Sequence, residues 1–211
     1  MLLKTLYETN RARFIKNLKD KVLDLTGSIA LFKGSHYFYA YDTSIYYPPK
    51  YDQNFVYLFG LEDMNFDGFI ELDAGKTYLV QMKNSEPLAN FPLEEWKESF
   101  GIEEVFSLDQ FEDYLTKRPP QKVFVNSGID RYTGIKSNAY DNNDILDRFK
   151  DIVDYDTTYP ILNDTRTIKS PEEIHFMREM GMISSRGHIE VMRACKPGMY
   201  EYQIGAVFSV D

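Results

Sequence analysis

Residues 166–203, RTIKSPEEIHFMREMGMISSRGHIEVMRACKPGMYEYQ, constrain the fold more than any other stretch. Ser170 can cap a helix, Pro171 suits its first position, and Glu173 can reach back to complete a capping box. Phe176, Met180, Ile183, Gly187, Val191 and Ala194 then recur at spacings of three and four, one apolar stripe along a predicted helix of about 25 residues. Lys196-Pro197-Gly198 stops it, with a cation at the C-terminus and two residues that resist regular continuation. Residues 199–208 begin a second helical pattern with Ile204, Val207 and Phe208 on one face, and the sequence runs out at Asp211 with no cap, glycine or polar tail. So short a remainder cannot cover that face, so more polypeptide or a partner subunit is required. Residues beyond about 165 are expected to open a second domain, cut within an element.

The preceding chain alternates helix and strand signals. Residues 9–25 predict an amphipathic helix through Phe14, Leu18, Val22 and Leu25, and residues 28–32 a buried strand. Residues 39–47, rich in aromatics and turn formers, with Pro48-Pro49 behind them, predict a loop. Residues 54–61, NFVYLFGL, read as a further apolar strand, and residues 69–73 and 77–82 flank Ala74-Gly75-Lys76 as a hairpin. Helices are expected at 93–100, at 108–115 behind the cap Ser107, and from Asp144; strands are expected at Val105-Phe106 and 122–126. The polar stretch 154–165, with Tyr159-Pro160, reads as the domain boundary. The pattern predicts an α/β domain with a mixed sheet flanked by helices, followed by the start of another domain.

Charge and cysteine usage narrow the functional classes. Twenty-four basic against thirty-three acidic residues leave a net charge of −9, with no basic run, which argues against nucleic acid and anionic membrane as partners. No apolar run approaches spanning length. The single cysteine, Cys195, cannot form an internal disulfide, and Lys4 follows the first apolar residues too soon for a cleavable signal, so a cytoplasmic protein is expected. Asn163-Asp164-Thr165 matches a glycosylation acceptor but has no meaning without a secretory route.

The motifs with chemical potential mostly dissolve. Residues 63–70, DMNFDGFI, match the first eight positions of a calcium loop, but position twelve, which must supply a bidentate carboxylate, is Ala74. A polar turn set by Asp67-Gly68 is the expected reading. His175 and His188 lie thirteen residues apart on the predicted helix, pointing well over a right angle apart, and His36 lies in an unrelated loop. Cys195 has Arg193 and Lys196 nearby, yet no positioned base, and reads as a packed helix-end residue. No glycine-rich phosphate loop, G-x-S-x-G or C-x-x-C occurs.

Residues 183–203, ISSRGHIEVMRACKPGMYEYQ, with R-T-I-K-S-P-E-E before them, resemble the first helices of the catalytic domain of the Xaa-Pro dipeptidases, or prolidases. Residues 41–80 are similar to the N-terminal domain of those enzymes. The resemblance implies residues 1–160 as an N-terminal creatinase/prolidase-like domain and 161–211 as linker and first helices of a pita-bread catalytic domain. It implies an enzyme with two divalent metal ions, commonly manganese, held by two Asp, one His and two Glu, which together hydrolyse the bond preceding proline in short peptides. Those ligands fall downstream, so no catalytic or metal-binding residue is expected in this chain, and the 211 residues alone are expected to be inactive. The resemblance also implies a homodimer in which the N-terminal domain limits access to the neighbouring active site. Tyr57 stands where prolidases carry an aromatic reaching toward that site; a tyrosine packed in the sheet core is the alternative. The family's F-R-Q is replaced here by Lys50-Tyr51-Asp52-Gln53, so that arginine's contact is lost or replaced. His188, inside the helix motif, is given a seating role. A stand-alone binding or dimerisation module with a prolidase-like fold is the alternative function, and an aminopeptidase P or creatinase specificity shares the architecture.

Overall fold

Ile29–Phe32, strand β1, is apolar at every position and buried at every position, as a strand covered on both faces must be. It lies inside a mixed sheet of order β4-β3-β2-β1-β5-β6 in the computed structural model, which describes residues 2–34, 42, 51–62, 66–82, 87–129, 132, 134 and 144–209. The other strands are β2 (Phe66–Glu71), β3 (Thr77–Gln81), β4 (Glu104–Ser107), β5 (Val123–Val125) and β6 (Val153–Asp154). β2 runs antiparallel to β1 and β3, whereas β4 follows β3, β5 follows β1 and β6 follows β5 in parallel. The helices are α1 (Leu2–Lys19), α2 (Gln53–Phe59), α3 (Leu93–Phe100), α4 (Leu108–Lys117), α5 (Asp144–Asp147), α6 (Thr158–Thr167), α7 (Pro171–Ala194) and α8 (Glu201–Phe208).

Alternation along the strands divides the core between the two sheet faces. Ala30, Phe32, Ile70, Leu79 and Phe124 join Phe14 and Leu18 of α1, Phe55, Leu58 and Phe59 of α2, Trp96 of α3 and Leu162 of α6. Their alternates Ile29, Leu31, Phe69, Val80, Val123 and Val125 join Phe111 and Leu115 of α4 and Leu146 of α5. Aromatic rings contribute much of the first face: Phe32 meets Phe14 edge-on at 5.7 Å, and Phe55 stacks on Phe59 at 4.8 Å.

The hairpin, the helices after Pro92 and Ser107, and the strand before Asn126 lie where the sequence places them. Three local expectations fail. Residues 54–61 form helix α2 and the cap glycine rather than a strand: Asp52 Oδ1 accepts from the N–H groups of Asn54 and Phe55, and Gly60, at φ 75°, closes the helix in the left-handed region. A short apolar run carries no period that separates helix from strand, and here the caps decide. Asp67 and Gly68 lie within β2, paired with Val80 and Leu79, rather than in a turn; Asp67 Oδ1 instead accepts from the Gly34 N–H. α1 ends at Lys19 in a turn whose Lys21 and Val22 N–H groups donate to Leu18 O, and Asp24 then accepts from the Thr26 N–H in a second local turn, although Leu25 is still buried. His36, the loop at 39–50 apart from Asp42, and Asp63-Met64-Asn65 lie outside the described residues.

The chain forms two compact units, Met1–Ile168 and Lys169–Asp211. The stretch 154–165 is not a linker: it holds most of α6, whose Thr158, Ile161, Leu162 and Thr165 are buried. In the second unit Ser170 and Glu173 complete the expected capping box, with Pro171 in the first turn of α7. α8 folds back on α7, where a Cβ at Gly187 would stand 2.9 Å from the Phe208 ring and the His188 ring lies 5.0 Å from it. Along α7, Phe176, Met180 and Ile183 are 40%, 44% and 51% exposed.

α1 ties the first unit together through polar side chains. Arg11, 4% exposed, donates from Nη1 to Leu58 O at 2.7 Å and from Nη2 to Phe100 O at 2.9 Å and Gly101 O at 3.1 Å, so one cation serves the C-terminal ends of α2 and α3. Burial lowers its pKa to about 10, against the pull of Glu8, which leaves it charged at neutral pH. Arg11→Ala should cost on the order of 3 kcal/mol, because buried carbonyls lose a charged donor. The urea midpoint followed by the fluorescence of Trp96, the single tryptophan, reads this unit, and an unchanged midpoint would refute it.

At the far edge, Lys122 Nζ meets Asp154 Oδ2 at 2.8 Å, and Asp154 accepts from Thr157 N and Oγ1. Burial pushes the Asp154 carboxyl up, but Lys122, Thr157 and Asp156 outweigh it and hold it below the usual carboxylate range. A depressed carboxylate contributes stability above its unfolded pKa and loses it as pH falls through the folded one. Asp154→Asn should therefore flatten the loss of stability below about pH 4, measured as the urea midpoint against pH.

Candidate functional site

The residues that converge around Tyr57 come from four parts of the first unit. Tyr57 sits on α2, between the buried Phe55 and the buried pair Leu58 and Phe59, and its half-buried ring packs against the first core cluster. Its backbone is held from α1: Asn10 Nδ2 donates to Tyr57 O at 3.0 Å, and Arg11 takes the carbonyl of the next residue. Two long-range hydrogen bonds thus secure this one turn of helix against α1, and the same Arg11 also donates to the last carbonyl of α3. Tyr57 is a helix residue rather than a sheet residue, and its ring packs on the core as the structural alternative expects.

Arg166, in the last turn of α6, brings a guanidinium over the Tyr57 ring, 5.5 Å from its centroid. The same group donates from Nη1 to Asn54 Oδ1, one turn of α2 earlier. Asn54 is buried and donates from Nδ2 to Asn126 Oδ1, at 3.4 Å, just beyond the C-terminal end of β5. Asp52 completes the group. Burial raises its pKa, while the N–H groups of Phe55 and Asn54 and the charge of Arg166 oppose that rise.

Chemically this cluster offers an aromatic face, a fixed cation and oriented amides. It holds no nucleophile beside a base. Among the described residues no group of three or more His, Cys, Asp or Glu side chains could hold a metal ion, so the donor set of a two-metal centre is not found among them. Cys195 is exposed where α7 ends, and His175 and His188 lie on α7, in the second unit, away from the cluster in sequence.

The sequence singled out Tyr57 alone. Asp52 and Gly60 were legible as cap signals around α2. Arg166, Asn54 and Asn126 were not, because they meet across separations of 112 and 72 residues and no local spacing announces them.

Comparison with known proteins gives the same assignment from several directions. The profile of the family Aminopeptidase P, N-terminal domain, matches residues 7–124. The human Xaa-Pro dipeptidase is 26% identical over 212 residues, covering 96% of this chain and 42% of that protein. A Xaa-Pro aminopeptidase of Haemophilus influenzae is 25% identical over 173 residues, covering 75% of this chain and 37% of its own. A solved structure from Bacillus anthracis, assigned as an aminopeptidase P, superposes with a TM-score of 0.72 at 20% identity over 98% of this chain and 50% of that one. The chain thus spans less than half the length of the curated relatives it matches. With its mixed sheet, flanking helices and a profile match over more than half its length, the chain belongs to the aminopeptidase P N-terminal domain family.

Proposed function

We propose that this chain is the non-catalytic N-terminal part of a metal-dependent Xaa-Pro peptidase, contributing subunit association and control of access to the active site. The observation that carries this reading is a match to Xaa-Pro dipeptidases across 96% of the chain that accounts for only 42% of those proteins. In this reading the two divalent ions, manganese by preference, and the hydrolytic chemistry belong to the remainder of such a protein. The N-terminal domain then runs through α6 to Ile168, eight residues later than the sequence suggests, and residues 169–211 hold the first helices of the catalytic domain.

In this reading Tyr57 lines the approach to the active site of the other subunit in a homodimer, and the substrates are short peptides with proline after the scissile bond. A rigid aromatic on a firmly held helix suits such a task, since it excludes bulk without itself reacting. Neither nucleic acid nor membrane is a proposed partner: the net charge is −9, and among the described residues no helix is long and apolar enough to cross a membrane. One exposed cysteine suits a reducing compartment, and the cytoplasm is the proposed location.

The test is the full-length gene product, identified by immunoblot and assayed with manganese on Xaa-Pro dipeptides. The expected product is well above 24.7 kDa and hydrolyses them, while the 211-residue chain does not. A full-length product that takes up no manganese and cleaves no such peptide would overturn the reading in favour of a binding or dimerisation module.

A further inference from the structure

Arg166 is held in place by more contacts than a surface cation at a helix end requires. Asn54 has one amide oxygen and one amide nitrogen to satisfy; its Nδ2 is committed to Asn126 Oδ1, which aims its Oδ1 at the Arg166 guanidinium. The helix that carries Arg166 is fixed independently. Arg13 Nη2 donates to the carbonyls of Thr165, at 3.1 Å, and Ile168, and Asn17 Nδ2 donates to Thr165 Oγ1 at 2.8 Å. Arg13 and Asn17 lie on α1, the helix whose Asn10 and Arg11 hold the carbonyls of Tyr57 and Leu58. α1, α2 and α6 thus form a closed triangle in which the place of each helix end is set by a hydrogen bond. Arg166 spans its third side, with one face on the Tyr57 ring at 5.5 Å and one edge on Asn54.

We infer that Arg166 is a positioning residue for Tyr57: it fixes the half-buried tyrosine ring beside α2, and through that ring it sets how long a peptide reaches the active site. The inference rests on the access role proposed for Tyr57. It does not make Arg166 a catalytic residue, because nothing places the guanidinium against a substrate or a metal. Lysine is a poor replacement. A planar fork serves the ring and the amide together, whereas an ammonium is a point charge on a flexible stem.

The experiment uses the full-length enzyme and compares kcat/KM for an Xaa-Pro dipeptide with that for a tetrapeptide having proline second. Arg166→Met keeps the length of the side chain and removes its charge and fork. It should raise the tetrapeptide-to-dipeptide ratio roughly tenfold, the scale of one cation–π contact and one charged hydrogen bond, with kcat for the dipeptide unchanged. Arg166→Lys should recover only part of the original ratio. Tyr57→Leu should raise the ratio by itself, and adding Arg166→Met to it should change nothing further, since the arginine acts through the ring. Trp96 fluorescence and the urea midpoint confirm that each variant is folded; should Arg166→Met fail to fold, Asn54→Ser, which leaves the ring in place but shortens the arginine's anchor, takes its place. If Tyr57→Leu leaves the ratio untouched, the access role itself is wrong. If Tyr57→Leu moves the ratio while folded Arg166→Met does not, or if the two effects simply add, the access role stands and the positioning role is overturned.

Discussion

The buried guanidinium of Arg11 lies where two helices would otherwise end in unsatisfied carbonyls. Every helix leaves its last carbonyls without partners, and a helix end turned inward must find donors or lose stability. α2 ends against α1, as does α3, and Arg11 donates to both. Arg13 does the same for α6 through Thr165 and Ile168. The cations stand at the negative ends of those helices, where the aligned peptide dipoles add to the hydrogen bonds. α1 therefore acts less as an amphipathic helix resting on a sheet than as the element that collects the ends of three others.

That arrangement also accounts for the candidate site. Tyr57 needs no special backbone to be held firmly; it needs a helix whose own carbonyls are taken, and Asn10 and Arg11 take them. Asp52 secures the N-terminal end of the same helix and Gly60 its C-terminal end, so seven residues, too few for a stable helix in isolation, are fixed by capping and packing together. Phe55, Leu58 and Phe59 supply the packing, and Tyr57 is left on the flank that meets Arg166. An aromatic so supported can present a fixed surface, which is the property that an access-limiting residue requires.

The second unit obeys a different constraint. α7 is secured at its start by a capping box and at its end by Lys196-Pro197-Gly198, signals that are local and readable in sequence. What α7 and α8 bury against each other is small. Gly187 admits the Phe208 ring, while Phe176, Met180 and Ile183 are left exposed. Exposed apolar faces of this kind are surfaces suited to further contacts.

Sequence by itself determined the elements whose signals lie within one or two turns: the capped helices at Ser107 and Ser170, the glycine-bearing hairpin, the buried strand at β1 and the mixed α/β class. It also carried the family resemblance, through residues 166–203 and residues 41–80. It misjudged residues 54–61, because an apolar run of that length suits strand and helix equally until its caps are weighed. It singled out none of Asn10, Arg11 and Arg13 on α1, since a charged residue on a helix ordinarily faces water. Only the tertiary structure decided otherwise. A charge stays buried when several acceptors converge on it, and those acceptors, the carbonyls of residues 58, 100 and 101, come from chain 47 to 90 residues away. The meeting of Arg166 with Asn54 and Tyr57 was decided in the same way, by the packing of α2 and α6 against α1 rather than by any spacing along the chain.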